Sequence, residues 1–221
     1  MISEISSCVE RDGYAFIAEY RPAERSSDLL SDFGEADVLG KAGAVHQLRP
    51  AGTEEAAPNS YSGNYGLGAF PLHTDLAQWH RPPRYLLLRC IRGFAEVPTI
   101  VVDGGALVGE IGATALTRAL LQPRRPVRGK RPLLRLYQPM GEVGNLLRWD
   151  EKFIQPATPA GQNGAATFRR HLGCAQRQEV PLLHPGDTII IDNWRMLHGR
   201  APVSEASRSR LIERAYLRSV H

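Results

Sequence analysis

The chain has few cysteines and no long apolar segment. Its 221 residues include three cysteines, Cys8, Cys90 and Cys174, an odd number spread along the sequence. Such a set predicts no disulfide framework and favours reduced thiols. No apolar run approaches the ~18 residues of a membrane-spanning helix, and the N-terminus lacks the basic and apolar regions of a secretory signal. We therefore expect a cytoplasmic protein without a membrane partner.

The excess of positive charge is also small. Lysine and arginine number 27 against 23 aspartate and glutamate residues, which gives a formal net charge of +4. One basic run stands out, interrupted by prolines and made of Arg124, Arg125, Arg128, Lys130 and Arg131. It lacks the accompanying aromatic residues that stack on bases in nucleic-acid-binding proteins. We interpret it as a solvated loop and expect no nucleic-acid partner.

The pattern of short elements predicts the fold class. A length of 221 residues and an apolar content of 43% are typical of one soluble domain. We predict a single domain over 1–221, with 1–50 as an N-terminal supporting segment and 51–221 as a jelly-roll core. Strand-like segments separated by glycine and proline favour a mainly β sandwich or jelly roll with flanking helices. The predicted strands are 14–20, 45–48, 85–91, 99–102, 133–137, 146–149, 188–192 and 211–219; the predicted helices are 105–121 and 165–174, and 51–68 is predicted as a loop.

Two separated motifs carry candidate metal ligands. The first contains His73-Thr-Asp75, and the second ends at His198 after the apolar run 188–191. Residues i and i+2 of a strand point to the same face, so His73 and Asp75 are predicted to bind one ion together. Two imidazoles and one carboxylate are the set that holds non-haem Fe(II) while leaving coordination positions open. Taken alone, His-x-Asp also fits an ordinary surface pair.

The residues around these motifs resemble a known family. The stretch 73–91 reads His-Thr-Asp-Leu-Ala-Gln-Trp-His-Arg-Pro-Pro-Arg-Tyr-Leu-Leu-Leu-Arg-Cys-Ile, and 185–200 reads Pro-Gly-Asp-Thr-Ile-Ile-Ile-Asp-Asn-Trp-Arg-Met-Leu-His-Gly-Arg. Both resemble the metal motifs of the taurine dioxygenase-type 2-oxoglutarate oxygenases and are most similar to the γ-butyrobetaine hydroxylase branch. The stretch 209–216 resembles the closing strand of that branch. The likeness extends over 59–220 and is weak over 122–183.

The resemblance implies a fold and an activity. The fold would be a double-stranded β-helix, a cupin-like jelly roll, with Fe(II) held by His73, Asp75 and His198. The co-substrates would be 2-oxoglutarate and O2, and succinate and CO2 would be released as an unactivated C–H bond is hydroxylated. Desaturation or other oxidation of a natural-product intermediate is the alternative outcome. Asp75 argues against a halogenase, since that chemistry needs the carboxylate position vacated for a halide.

A distal carboxylate of 2-oxoglutarate requires a cation, and arginine provides a planar, bidentate fork. In the resembling family this arginine lies just before an apolar strand after the distal histidine, which corresponds to Arg210. Thr99 corresponds by spacing to a threonine that touches the co-substrate. Arg214, on the same strand face as Arg210, corresponds to the substrate-anion arginine of taurine dioxygenase, whereas the betaine branch is glycine-like there. That departure weakens any transfer of a trimethylammonium substrate. Surface arginines on an edge strand are the alternative interpretation.

Substrate contacts are predicted from thinner signals. Asn64 and Tyr65 lie where the betaine branch places an aromatic residue against a cation. Asp150 resembles a strand residue that faces the substrate in related amino-acid hydroxylases, although a turn carboxylate fits equally. Together with Arg214, these residues predict a small zwitterionic, amino-acid-like substrate, free or carrier-linked. The chain lacks long lid-forming insertions, which leaves an open site or a partner subunit in a homo-oligomer as alternatives.

Two other classes of protein remain open at this stage. A cupin-like hydrolase or isomerase could use a similar triad with another metal, because the residues alone do not select iron. A non-catalytic binding module could retain the triad as a relic. Neither requires 2-oxoglutarate, so the cation at Arg210 is the feature that discriminates them from an oxygenase.

Overall fold

The computed structural model describes residues 4–39 and 43–221, and these form antiparallel strands with helices on either side. In chain order the strands are β1 Tyr14–Ile17, β2 Gly34–Ala36, β3 Val45–Leu48, β4 Phe70–His73, β5 Tyr85–Arg92, β6 Thr99–Asp103, β7 Leu120–Pro123, β8 Leu134–Arg135, β9 Tyr137–Pro139, β10 Asn145–Leu147, β11 Ile154–Pro156, β12 Gln178–Val180, β13 Thr188–Asp192, β14 Met196–Arg200 and β15 Leu211–Val220. The helices are α1 Ile5–Asp12, α2 Ser26–Phe33, α3 Tyr61–Tyr65, α4 Gly104–Ile111, α5 Ala113–Arg118 and α6 Pro159–Cys174, with a short 3-10 turn at Gly141–Val143.

Two main sheets enclose the core. The larger has the strand order β1-β13-β5-β15-β2, with β3 also paired to β15, and the smaller has the order β12-β6-β14-β4. Buried side chains of both sheets meet between them, among them Leu86 and Ile189 from the larger sheet and Val101 and Met196 from the smaller. This antiparallel sandwich confirms the predicted jelly-roll fold class.

The larger sheet is covered on its outer face by the N-terminal helices. Along β13 the residues Ile189, Ile190 and Ile191 are all buried, because successive side chains point to opposite faces and both faces are covered. Ile190 packs on the outer side with Leu29 and Phe33 of α2. A strand buried on both faces gives an unbroken apolar run instead of an alternating pattern.

Helices α4, α5 and α6 cover the smaller sheet. Leu107, Leu116 and Phe168 pack with Leu197 of β14 and with Trp149 in a second core. In the described parts of the chain, no helix is both long enough and apolar enough to cross a membrane.

Some predicted elements differ from those observed. The predicted helix 105–121 is two helices, broken at Gly112 with φ 98°, and its last residues belong to β7. The second predicted helix begins earlier, at Pro159, where Thr158 accepts a hydrogen bond from Gly161 N–H as its N-cap. The predicted strand 133–137 is divided between β8 and β9, the strand 14–20 ends at Ile17, and the predicted loop 51–68 contains α3.

Candidate metal centre

The smaller sheet brings the two histidines together. In the pairing of β14 with β4, His198 lies opposite His73, the last residue of its strand. Asp75 follows in a turn and is not part of the strand. The prediction that strand alternation places His73 and Asp75 on one face is therefore wrong in its mechanism, although the turn still directs the Asp75 carboxylate toward both imidazoles.

The three side chains form a compact ligand set. One potential ligand atom from each residue lies within 4.8 Å of the others, and all three residues are buried. Asp75 Oδ1 is 3.3 Å from His73 Nε2 and 3.6 Å from His198 Nε2. His73 Nδ1 is 2.8 Å from the Pro71 carbonyl, which can only accept, so Nδ1 carries the proton and Nε2 faces the site. Two imidazoles and one carboxylate in this arrangement fit Fe(II).

Burial and mutual contacts shift the pKa of each ligand. Burial would raise the pKa of Asp75, but Arg214 and the two histidines outweigh it and hold the pKa well below its ordinary value. Burial would lower the pKa of His73, yet the contact with Asp75 raises it overall. For His198, burial and the neighbouring His73 lower the pKa. Asp75 is thus held as the carboxylate that a metal ligand requires.

The second oxygen of Asp75 is held by the larger sheet. Its Oδ2 accepts a 2.6 Å hydrogen bond from the Tyr216 hydroxyl and lies 3.3 Å from Arg214 Nη1. Because Tyr216 and Arg214 both belong to β15, they fix the carboxylate from the side opposite the histidines. Oδ1 is left directed toward the metal position.

Two buried side chains fix the backbone around Asp75. The amide of Asn193 accepts from Asp75 N–H at 2.6 Å and donates to the Asp75 carbonyl at 3.1 Å and to the Pro83 carbonyl at 2.9 Å. Arg148 donates to the carbonyls of Trp79 and His80 farther along the same segment. These bonds satisfy backbone groups that no strand partner reaches.

Tyr216→Phe is expected to weaken Fe(II) binding, since Tyr216 orients the ligand Asp75. Loss of such an orienting hydrogen bond typically lowers metal affinity by roughly 10- to 100-fold. Anaerobic Fe(II) titration would measure the change. Tyr85→Phe, on the opposite face of the same sheet, is the matched control. Equal Fe(II) affinity in wild type and Tyr216→Phe would show that the hydroxyl does not support Asp75.

A cavity of about 440 Å³ opens between the sheets at the triad. Its wall contains the three ligands and also Thr99, Arg210 and Arg214, so the structure places the predicted co-substrate residues beside the metal site. Thr99 is buried on β6. The sequence positions 73, 99 and 210 are thus brought to one cavity by the folding of the two sheets.

Arg210 is a buried cation of the cavity wall. It is 6% exposed, and within residues 4–39 and 43–221 its guanidinium has no carboxylate within ion-pair distance. Its Nε atom is buried, and no described residue accepts a hydrogen bond from it. Burial lowers the pKa of Arg210 to about 10. A guanidinium in this state suits an anionic ligand, because buried charges are normally paired.

Arg214 lines the cavity but already contacts Asp75. Its Nη1 is 3.3 Å from Asp75 Oδ2, and its guanidinium carbon lies 5.2 Å from the Tyr216 ring centroid. Burial would lower the pKa of Arg214, but Asp75 outweighs burial and raises it. Arg214 therefore faces the metal site while one of its nitrogens supports the ligand carboxylate.

Asp150 lines the cavity with its oxygens already engaged. Oδ2 accepts from the Tyr61 hydroxyl at 2.8 Å, and Oδ1 accepts from the backbone N–H groups of Lys152 and Phe153 at 2.8 and 2.9 Å. Burial raises the pKa of Asp150. Asp150 therefore has the backbone bonds of a turn carboxylate and also lines the cavity.

The aromatic residue at the metal site is Tyr61, not Tyr65. The Tyr61 ring stacks on His73 with centroids 4.1 Å apart, whereas Tyr65 stacks on Tyr61 at 5.9 Å. Asn64 donates to the carbonyls of Pro58 and Ser60. Neither Asn64 nor Tyr65 belongs to the cavity wall, so their predicted substrate contacts are not supported. The two tyrosines are four residues apart, and the sequence alone does not indicate which of them lies against the metal site.

Asp150 and Tyr61 are expected to be energetically coupled. In a double-mutant cycle of Asp150→Asn and Tyr61→Phe, the coupling in the free energy of unfolding should be about 1 kcal/mol, as for a buried hydrogen bond. Denaturant unfolding measures it. The pair Asp150→Asn and Tyr65→Phe, which lacks the bond, should be additive. Additive effects in both cycles would contradict the proposed coupling.

One family model matches part of the chain. It is described as "Taurine catabolism dioxygenase TauD, TfdA family", and the match covers residues 114–216. This region contains His198, Arg210 and Arg214, whereas His73 and Asp75 precede it. The more specific likeness to the γ-butyrobetaine hydroxylase branch stays a prediction.

Solved structures of non-haem iron oxygenases share the fold. PvcB from Pseudomonas aeruginosa is 17% identical, with a TM-score of 0.69 over 98% of this chain and 80% of that one. OrfP, solved with Fe and α-ketoglutaric acid, is 20% identical, with a TM-score of 0.71 over 98% and 78%. An asparagine oxygenase is 15% identical, with a TM-score of 0.74 over 98% and 76%. The chain therefore has the fold of these iron oxygenases, and its residues 114–216 match the TauD, TfdA family of dioxygenases.

Proposed function

We propose that the protein is an Fe(II)- and 2-oxoglutarate-dependent dioxygenase that hydroxylates an unactivated C–H bond of a small amino-acid-like substrate. The observation that carries the proposal is the buried triad of His73, Asp75 and His198, which opens onto a cavity lined by Arg210. Among the described residues, the Arg210 guanidinium has no ion-pair partner. A metal-dependent hydrolase or a relic binding module does not require 2-oxoglutarate, and so does not require a cation for its distal carboxylate.

Each residue of the site has a distinct task. His73, Asp75 and His198 would hold Fe(II), and Arg210 with Thr99 would bind the distal carboxylate of 2-oxoglutarate. When bound, iron and 2-oxoglutarate supply the oxidative decarboxylation that releases succinate and CO2 and activates O2 for hydroxylation. Desaturation stays an alternative outcome at the same site.

Part of the cavity wall is apolar. Leu86 and Leu88 of β5 and Ile212 of β15 line the cavity, and all three are buried in the core between the sheets. A low-dielectric wall would strengthen the ion pairs that Arg210 and Arg214 form with anionic ligands.

A zwitterion would be complementary to the remaining polar groups. Arg214 offers a cation to a substrate carboxylate, and Asp150 Oδ2 retains a lone pair beside its bond to Tyr61 for an ammonium group. Two proteins of similar fold support this class: an asparagine oxygenase solved with 2S,3S-3-hydroxyasparagine and succinate, and OrfP solved with (3S)-hydroxy-L-Arg. Free and carrier-linked amino acids both belong in a substrate screen.

A substrate screen tests the proposed function. Fe(II) protein with 2-oxoglutarate and O2 is expected to form succinate and to add one oxygen atom to an amino-acid-like compound, as read by mass spectrometry. Asp150→Asn should slow turnover of that compound while 2-oxoglutarate affinity stays unchanged. Turnover restricted to neutral, apolar compounds would contradict the substrate class and leave the oxygenase assignment intact. Absence of succinate under all conditions would contradict the assignment itself.

A further inference from the structure

Arg200 is a further arginine of the cavity wall, and its strand position explains why it faces the site. It lies two residues after His198 on β14, so strand alternation places both side chains on the same face. In the pairing of β14 with β6, Arg200 lies directly opposite Thr99. Arg200, Thr99 and Arg210 all line the cavity that contains the triad.

Neutral groups hold Arg200 in place. Its Nη2 donates to the carbonyls of Gly66 and Gly68 at 3.2 and 2.7 Å, and its Nε donates to the Ala201 carbonyl at 3.2 Å. The guanidinium carbon lies 3.7 Å from the Phe70 ring centroid, a cation–π contact. Over the described ranges of the chain, Arg200 has no ion pair, and Nη1 forms no hydrogen bond to the protein.

Within the part of the chain that the structure describes, no carboxylate pairs with Arg200 or Arg210. Burial and the proximity of Arg210 lower the pKa of Arg200 to about 10. Both carboxylates of the cavity wall already have partners. Asp75 contacts Tyr216 and Arg214, and Asp150 accepts a hydrogen bond from Tyr61. Two like charges near each other, one buried at Arg210 and one partly buried at Arg200, favour binding of an anion between them.

We propose that Arg200 is a second cation for the distal carboxylate of 2-oxoglutarate, which it binds together with Arg210 and Thr99. This inference rests on the proposed function. Two residues of a strand advance by about 6.8 Å, so Arg200 lies about that far along the strand from the metal ligand His198. This separation is comparable with the length of a five-carbon diacid. Arg214 belongs to the larger sheet, and an anion bound to it would instead lie beside Asp75. The position of Arg200 therefore favours a contact with the co-substrate rather than with the substrate.

The test compares two 2-oxo acids of equal chain length. 2-Oxovalerate has the keto-acid end of 2-oxoglutarate but lacks the distal carboxylate. Dissociation constants of both acids would be measured anaerobically on the Fe(II) protein by the visible charge-transfer band and by calorimetry. Arg200→Gln is expected to weaken 2-oxoglutarate by about 10-fold or more, as for loss of a charge-assisted hydrogen bond, and to change 2-oxovalerate little. Arg200→Lys, which keeps the cation, should retain most of the preference for 2-oxoglutarate.

A matched control separates ligand binding from support of the segment 51–68. Arg208 bonds to Glu55 of that segment from the outside, at 2.6 and 2.8 Å, and does not line the cavity. Arg208→Gln should leave the ratio of the two dissociation constants unchanged. If Arg200→Gln weakened the binding of both acids equally, Arg200 would only support the segment and the inference would be overturned. Unchanged binding of both acids would overturn it as well. If the wild-type protein gave no band with 2-oxoglutarate, the proposed function would fail first, and the inference with it.

Discussion

His198→Ala should abolish stoichiometric Fe(II) binding and reduce 2-oxoglutarate turnover to background. The imidazole is one of three ligands in a buried site, and Asp75 Oδ1 lies 3.6 Å from its Nε2. The loss should exceed the roughly 10- to 100-fold effect of removing a group that only orients a ligand. Anaerobic titration followed by metal analysis would measure binding, and succinate formation would measure turnover. His73→Ala should behave in the same way.

His184→Ala is the matched control, because His184 is exposed and does not belong to the ligand set. It should retain one Fe(II) per chain. Normal iron content and turnover in His198→Ala would contradict the assigned triad and would move the metal to another set of residues.

Arg210→Ala should raise the 2-oxoglutarate dissociation constant strongly. Loss of one partner of a desolvated charge pair costs about 2–5 kcal/mol, which is roughly 30- to 5,000-fold in affinity. Burial already lowers the pKa of Arg210 to about 10 and disfavours its charged form in the free protein. The substitution should therefore lower affinity without lowering thermal stability, which distinguishes lost binding from lost folding.

Arg208→Ala should change 2-oxoglutarate affinity little. Arg208 is exposed and bonds to the carboxylates of Glu55 and Glu205 on the surface. Surface pairs of this kind contribute at most about 1 kcal/mol. The reverse ranking, with Arg208→Ala the more damaging substitution, would show that the co-substrate carboxylate binds at Arg208.

The metal ligands were predictable because their motifs are local in sequence. The apolar run before His198 predicts a buried strand, and the long likeness around His73 distinguishes it from an ordinary surface histidine. The same information did not reveal that Asp75 lies in a turn, because a separation of two residues fits a strand and a turn equally. The helix predicted over 105–121 failed for a related reason: its apolar spacing continues past Gly112, whose positive φ breaks the helix.

The supporting contacts could not be predicted from local pattern. Tyr216 and Asn193 reach Asp75 across 141 and 118 residues of sequence, and Asp150 reaches Tyr61 across 89. These contacts depend on the tertiary packing of segments that are far apart in the sequence. Arg200 did have a usable signal, since it is two residues beyond His198 on the same strand and therefore shares its face.

Oxygen labelling tests the central claim most directly. Fe(II) protein with 2-oxoglutarate, exposed to isotopically heavy O2, is expected to form succinate that carries one heavy oxygen atom in its new carboxylate. The reaction should require Fe(II) and should be absent in His198→Ala. Unlabelled succinate, or no succinate from wild-type protein containing one Fe(II) per chain, would contradict the assignment of this site as a 2-oxoglutarate-dependent oxygenase.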